Sequence, residues 1–257
     1  MELNPSVISF FLEWNFSPLA TGVGVLLAGF YIYFYRKMGP FGLVRAVAFF
    51  AGLLLMLFAL QSSLVSFVAN SMALYTLRLM ILAELVPILL LAGLPAGVFS
   101  LRGLPQFWHG LFEPWVGLVF YNAVVIFWNL PQPLSASLVN ATYHEVLPWL
   151  YVLGGTWFWL PIFQTLRDGP GFSQASRVLY AGIGNLPMMV IGLVWLNSQE
   201  VIYSPYVNVP CLWNTTPTDN QQAAGVVMTI FSTPAMVVAV FELFRWLLSD
   251  NSHPEQG

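Results

Sequence analysis

Glu84 stands deep inside the apolar run Tyr75–Phe99, and few other side chains of this sequence carry comparable chemistry. It lies nine residues into the run, which in a helix rising about 1.5 Å per residue is near the midplane of a bilayer. A charged group at that depth costs roughly 2.5–3.5 kcal/mol, so the carboxyl is expected to face the interior of a helix bundle. Two readings stay open for it: a proton-handling or partner-docking carboxyl, or a protonated acid hydrogen-bonded to a neighbouring helix. Arg78 sits near the start of the same run and is expected to snorkel to the headgroups, or else to pair with Glu145 or Asp219. His144 and Glu145 open the run His144–Thr165. A lone imidazole can ligate a metal, but with no Cys or second His close in sequence it reads first as an interfacial polar residue. His109 and His253 lie far from it in the chain, and Cys211 is the only cysteine, so neither a metal cluster nor an intrachain disulfide is expected. Lys37 is the only lysine, which leaves the last helix without a Schiff-base amine. No phosphate-cradling glycine loop, HExxH or hydrolase triad is visible, so no enzymatic activity is expected.

The elements that must position these groups follow from composition. Of 257 residues 58% are hydrophobic and only 7% charged, and the mean hydropathy is +0.75. A soluble domain carries roughly 25% charged residues, so the expected class is all-α, a polytopic transmembrane helical bundle, and its first partner is the lipid bilayer. The net charge of −3 provides no basic surface for nucleic acid. Runs long enough to cross a bilayer cover approximately Ser17–Tyr35, Leu43–Leu60, Tyr75–Phe99, Trp115–Leu130, His144–Thr165, Val178–Leu196 and Ala223–Leu248. Seven transmembrane helices in one domain over 1–257 are therefore expected, with an outer segment at about 1–16 and a cytoplasmic tail at about 249–257. Arg36, Lys37, Arg45, Arg102, Arg167, Arg177 and Arg245 all fall on one side of this alternation and only Arg78 on the other. The positive-inside rule then puts the N-terminus outside and the C-terminus in the cytoplasm. The N-terminus has no positively charged n-region, so no cleaved signal peptide is expected. The sequons at Asn140 and Asn214 fall on expected outer loops and occur this often by chance.

The order of several short patterns resembles a known family. Pro87-Ile-Leu-Leu-Leu-Ala-Gly93-Leu-Pro95 is followed by Pro114-Trp-Val-Gly-Leu-Val-Phe-Tyr-Asn122-Ala and by Phe127-Trp128-Asn129-Leu130-Pro131. Then come His144 with Trp159-Leu-Pro161, Leu179-Tyr180 through Gly192-Leu193, and Gln221-Gln222-Ala-Ala-Gly225-Val-Val-Met228. From about Ser17 to Arg245 this order is similar to the CtaG family, membrane-integral assembly factors of caa-type cytochrome c oxidase. The resemblance implies a seven-helix protein of the bacterial cytoplasmic membrane whose partners are subunits of a haem-copper oxidase. It also implies histidine pairs that can hold copper, and here this chain departs from the pattern. Tyr75 and Leu79 occupy one such pair, Pro148 stands where His144 would have its mate, and Asn129 replaces the histidine after Trp128. Asn220 aligns with the family's Asp and Thr229 with its Trp. His144 with Tyr75, Asn129 and Met72 would hold copper only weakly, so the fold is expected to be kept and the ligand set largely lost, with no cofactor firmly implied.

Two functions of different class follow. Family resemblance favours an assembly factor supporting maturation of a haem-copper oxidase, with copper insertion as its sharpest form. Ligand loss favours a non-catalytic accessory or scaffold subunit of a respiratory or related membrane complex, with Glu84 and Arg78 serving helix docking. A proton path through Glu84 ranks third, because the nearest further acid, Glu242, lies towards the cytoplasmic end.

Overall fold

The computed structural model describes residues 14–39, 41–166 and 173–250. The segment before Trp14, Pro40, Arg167 and the tail with His253 lie outside the described residues.

Eleven helical segments organise the described chain. They are α1 (Pro18–Met38), α2 (Leu43–Gln61), the short α3 (Leu64–Phe67), α4 (Met72–Ala92), α5 (Gln106–Leu111), α6 (Pro114–Trp128), α7 (Pro131–Val139), α8 (Ala141–Trp159), α9 (Gln174–Gly184), α10 (Leu186–Asn197) and α11 (Pro217–Asp250). Their starts carry ordinary capping chemistry. Ser17, Ser71 and Asn140 each turn a side-chain oxygen onto backbone N–H groups of the first turn of α1, α4 and α8. At α11 Thr216 Oγ accepts from Asp219 N at 3.1 Å while its hydroxyl donates to the Asp219 carboxylate at 2.6 Å, a reciprocal cap. Gly39 and Gly42, both with φ near +90°, turn the chain tightly from α1 into α2.

Among the described residues five helical stretches are long and apolar enough to cross a membrane: Pro18–Met38, Leu43–Gln61, Met72–Ala92, Ala175–Asn197 and Pro217–Leu248. A sixth is obtained if α6 and α7, bent by 77° to one another, count as one span. The bend falls where Pro131 forces Leu130 out of helical geometry, at ψ 148°. The expected fifth span is present as α8, 19 residues long, yet is not among the apolar helices. Thr142, His144, Glu145 and Pro148 at its start lower its hydropathy, and it stops at Trp159 rather than Thr165 because Pro161 cannot continue the ladder. Likewise α4 ends at Ala92, seven residues short of Phe99, where Gly93 and Pro95 follow.

Helix α4 is the axis of the bundle. It packs on α2, α8 and α11, while α6 lies against α8, and α9 and α10 lie along α11. One continuous set of buried apolar side chains runs from Ala20 in α1 to Ala235 in α11. Glycines let helices meet closely at two places where proline has altered the backbone. Pro87 has no N–H to give to the Ala83 carbonyl, and Pro161 none to give to the Trp157 carbonyl. A Cβ on Gly155 of α8 would lie 1.9 Å from the Ala83 oxygen, and one on Gly117 of α6 would lie 2.7 Å from the Trp157 oxygen. Each freed carbonyl thus faces a glycine of the next helix, the small-residue approach that membrane bundles use where apolar burial gives no drive.

Hydrogen bonds also gather one end of the bundle. Asn15 N donates to Gln61 O at 2.6 Å, joining the start of α1 to the end of α2. Asn220 Oδ1 accepts from Ser71 Oγ and Ala73 N, both at 3.1 Å, joining the starts of α11 and α4. Tyr203 OH donates to Asn129 O at 2.7 Å, tying the loop after α10 to the end of α6. Arg36, Lys37, Arg45 and Arg245 belong to the opposite helix ends.

Candidate functional site

Two polar centres lie on α4, one at mid-helix and one at its gathered end. At mid-helix the ladder widens into a π-helical turn over Ile81–Leu85, where Val86 N–H reaches back to Ile81 O. Such turns reposition a side chain without breaking the helix, and they are common at functional sites. Here the turn presents Glu84, which is fully buried. Its Oε2 accepts from Trp159 Nε1 of α8 at 3.0 Å, and its Oε1 accepts from the Tyr121 hydroxyl of α6. The same hydroxyl is 3.7 Å from Met188 Sδ of α10. A phenol has one proton, so donation to Glu84 and donation to Met188 exclude each other. Asn185, at the junction of α9 and α10, lies beside the carboxyl without a hydrogen bond of good geometry, and both its amide atoms lack partners among the described residues. Glu84 therefore pins three helices together, and its partners were invisible in the sequence because each lies 37 or 75 residues away.

At the gathered end, Tyr75 and Asn129 each belong to a set of buried hydrogen bonds. Ser137 donates to Leu134 O at 2.7 Å, so Tyr75 OH donates to Ser137 Oγ at 2.9 Å. Asn129 Nδ2 donates to Val125 O at 2.7 Å and to Tyr151 OH at 3.1 Å. Trp195 Nε1 donates at 2.9 Å to Tyr203 OH, which in turn holds the Asn129 carbonyl. Burial pushes the Tyr203 and Tyr206 phenols of this loop well above the usual tyrosine range. Tyr206 OH donates to Val68 O at 2.8 Å. Tyr151, Ser137 and Tyr203 are members that sequence reasoning missed; buried tyrosines with a polar tip needing a partner were the available signal.

His144 lies beside the Tyr75–Ser137 pair, at the Ser137 backbone. It is half-buried and lines a cavity of about 580 Å³ together with Asn15, Ser17, Arg78, Glu145 and Trp149. Arg78 does not snorkel. It is only 6% exposed, and its Nε donates to Ala59 O at 2.9 Å. It forms no ion pair among the described residues, with Glu145 or any other acid, and its two terminal nitrogens have no hydrogen-bond partner there. Asp219 is occupied by Thr216. At the other end Glu242 pairs with Arg245 at 3.1 Å.

The fit of copper to this end can be judged from donor chemistry. Copper favours imidazole, thiolate and thioether ligands, whereas Tyr75 and Asn129 offer a phenol and an amide already engaged in hydrogen bonds. His144 is the one strong ligand of the expected trio. Among the described residues no three His, Cys, Asp or Glu side chains come together in a way that could hold a metal ion. By donor chemistry Tyr75, Asn129 and His144 fit copper poorly.

A family model described as cytochrome c oxidase caa3 assembly factor (Caa3_CtaG) matches residues 29–250, from mid-α1 to the end of α11. Neither a curated protein nor a solved structure matches.

Proposed function

The chain belongs to the cytochrome c oxidase caa3 assembly factor family, and we propose that it supports oxidase maturation as a helix-docking factor that holds no copper of its own. The family match, which spans nearly every helix of the bundle, is the observation that carries the assembly role. The donor set at Tyr75, Asn129 and His144 supports separating that role from copper insertion. The surface is suited to docking inside a membrane: Val25, Leu26, Leu43, Val44 and Leu54 on α1 and α2 are exposed and apolar, as are Val237, Phe241 and Phe244 on α11. In water such a surface would aggregate, whereas in lipid it is free to meet other helices.

In this reading the bundle is one seven-span unit of a bacterial cytoplasmic membrane, with α6–α7 and α8 as the fourth and fifth spans. The gathered end faces outwards and the end with Arg36, Lys37 and Arg45 faces the cytoplasm, in keeping with the bias of the basic residues. The polar centres serve the protein's own integrity, and the chain catalyses no reaction. Glu84 anchors α6 and α8 to α4, and the Tyr75–Ser137 and Asn129–Tyr151 pairs anchor the turn between α6 and α8.

Purification from native membranes in mild detergent, with quantitative mass spectrometry of co-purifying chains and metal analysis, tests the proposal. Substoichiometric recovery with immature oxidase subunits, and no copper, is expected. Recovery in fixed stoichiometry with a mature, active complex would replace the assembly role with that of a permanent accessory subunit. Copper retained by the protein would overturn the metal-free part alone.

A further inference from the structure

We infer that the cavity between α1, α2, α4 and α8 is a binding site for the phosphate of an anionic lipid headgroup, with Arg78 as its cation. Arg78 is the starting point. A guanidinium is costly to bury and is ordinarily matched by an acid, yet here it is 6% exposed and has no ion pair among the described residues. The bond from Nε to Ala59 O fixes the plane of the group while leaving both terminal nitrogens without a partner among the described residues, in a side chain that lines the cavity. That is the arrangement a guanidinium uses to grip two oxygens of one phosphate.

The walls choose among phosphate sources. About 580 Å³ is far more room than an inorganic ion needs, and Phe16, Leu19, Leu60, Val65 and Trp149 make much of the lining apolar. Phe16 and Leu19 are 73% and 62% exposed and stand at the start of α1, at the mouth of the cavity. An acyl chain or glycerol can lie along that apolar wall while the phosphate reaches in to Arg78. Asn15, Ser17 and His144 supply polar contacts on the other side. Glu145 is exposed at the rim and makes no bond to Arg78, so it does not fill the role of the anion. The end of α4 that holds Arg78 is also the end where a membrane interface would fall, since Ser17, Gln61, Ser71 and Asn140 there begin or end four helices.

Native mass spectrometry of the purified, delipidated full chain tests the inference, with phosphatidylglycerol, phosphatidylcholine and inorganic phosphate as separate probes. Retention of phosphatidylglycerol well above phosphatidylcholine is expected. It should fall about tenfold or more in Arg78→Gln, the size of a lost charge-assisted pair of hydrogen bonds. Val65→Trp narrows the cavity and keeps the arginine in the chain, so it carries the test even if Arg78→Gln fails to fold; it too should lose the lipid. Equal retention in the wild type and in a folded variant would overturn the site. Binding of inorganic phosphate without preference for phosphatidylglycerol would overturn the lipid assignment.

Discussion

Gly155→Ala is the substitution on which the packing argument can fail most clearly. The added Cβ would meet Ala83 O at 1.9 Å, Ala83 C at 2.7 Å and Ala83 Cα at 3.0 Å, all backbone atoms that cannot swing aside. A carbon and a carbonyl oxygen rest at about 3.3 Å or more, so α8 must move away from α4 by about 1.4 Å. Trp159, one turn further along α8, would be carried away from Glu84. Overpacking costs about 1–3 kcal/mol, and weakening the Trp159 bond adds about 1 kcal/mol, so a loss of about 3 kcal/mol is expected. For a chain of this size that corresponds to a fall of about 6–12 °C in Tm. The assay is thermal unfolding in mild detergent, followed by the fraction that remains monodisperse. Gly154→Ala is the control, because its Cβ would make only ordinary contacts, the nearest being Tyr121 Cδ2 at 3.4 Å and Tyr121 Cα at 3.6 Å. It should change Tm by no more than a degree or two. If Gly155→Ala is as stable as the wild type, or Gly154→Ala is equally damaging, the close approach of α8 to the π turn is not what holds these helices together.

Three further outcomes are expected. Glu84→Gln should fold nearly as well as the wild type, because the amide oxygen can accept from Trp159 while its nitrogen donates to Tyr121, whose proton turns to Met188; Glu84→Leu strands both donors and should cost about 2–4 kcal/mol in the same unfolding assay. Oxidase assembly should survive Glu84→Gln, whereas a proton-transfer role would lose it. His144→Ala should leave the activity and copper content of the client oxidase unchanged, measured in membranes of a complemented deletion strain, and a copper-deficient oxidase would restore the metal reading. Asn220→Leu removes the acceptor for Ser71 and Ala73 and should destabilise the contact between α4 and α11 by about 2 kcal/mol, visible as earlier proteolysis of the loop before α11.

Long apolar runs announce themselves, which is why α1, α2, α11 and the pair α9–α10 fall close to where the sequence puts them. Prolines and glycines decided the rest through geometry that hydropathy does not register. Gly93 and Pro95 shortened the third run, Pro131 split the fourth, and Pro161 cut the fifth. The π turn at Ile81–Leu85 has Pro87 as its only visible sign. Glu84 was recognisable as a group that must face inwards, but its partners come from α6 and α8, and pairing across such distances is a property of the packed bundle. Arg78 showed the opposite error. Snorkelling is the default for a cation near a helix end, and it fails here because a carbonyl, Ala59 O, lies within reach inside the bundle.

Helix α8 carries a consequence for how the protein is made. It is not among the helices long and apolar enough to cross a membrane, so its place in the bundle rests on the helices it packs against. The residues it buries, among them Leu147, Tyr151, Gly155 and Trp159, face α4 and α6, and both leave the ribosome first. In the order of synthesis α4 and α6 precede α8, and the Glu84 carboxyl meets its indole partner only when α8 arrives. If α8 is the fifth span, as proposed, its insertion is coupled to this packing, and a fault in α4 is expected to surface as a change of topology.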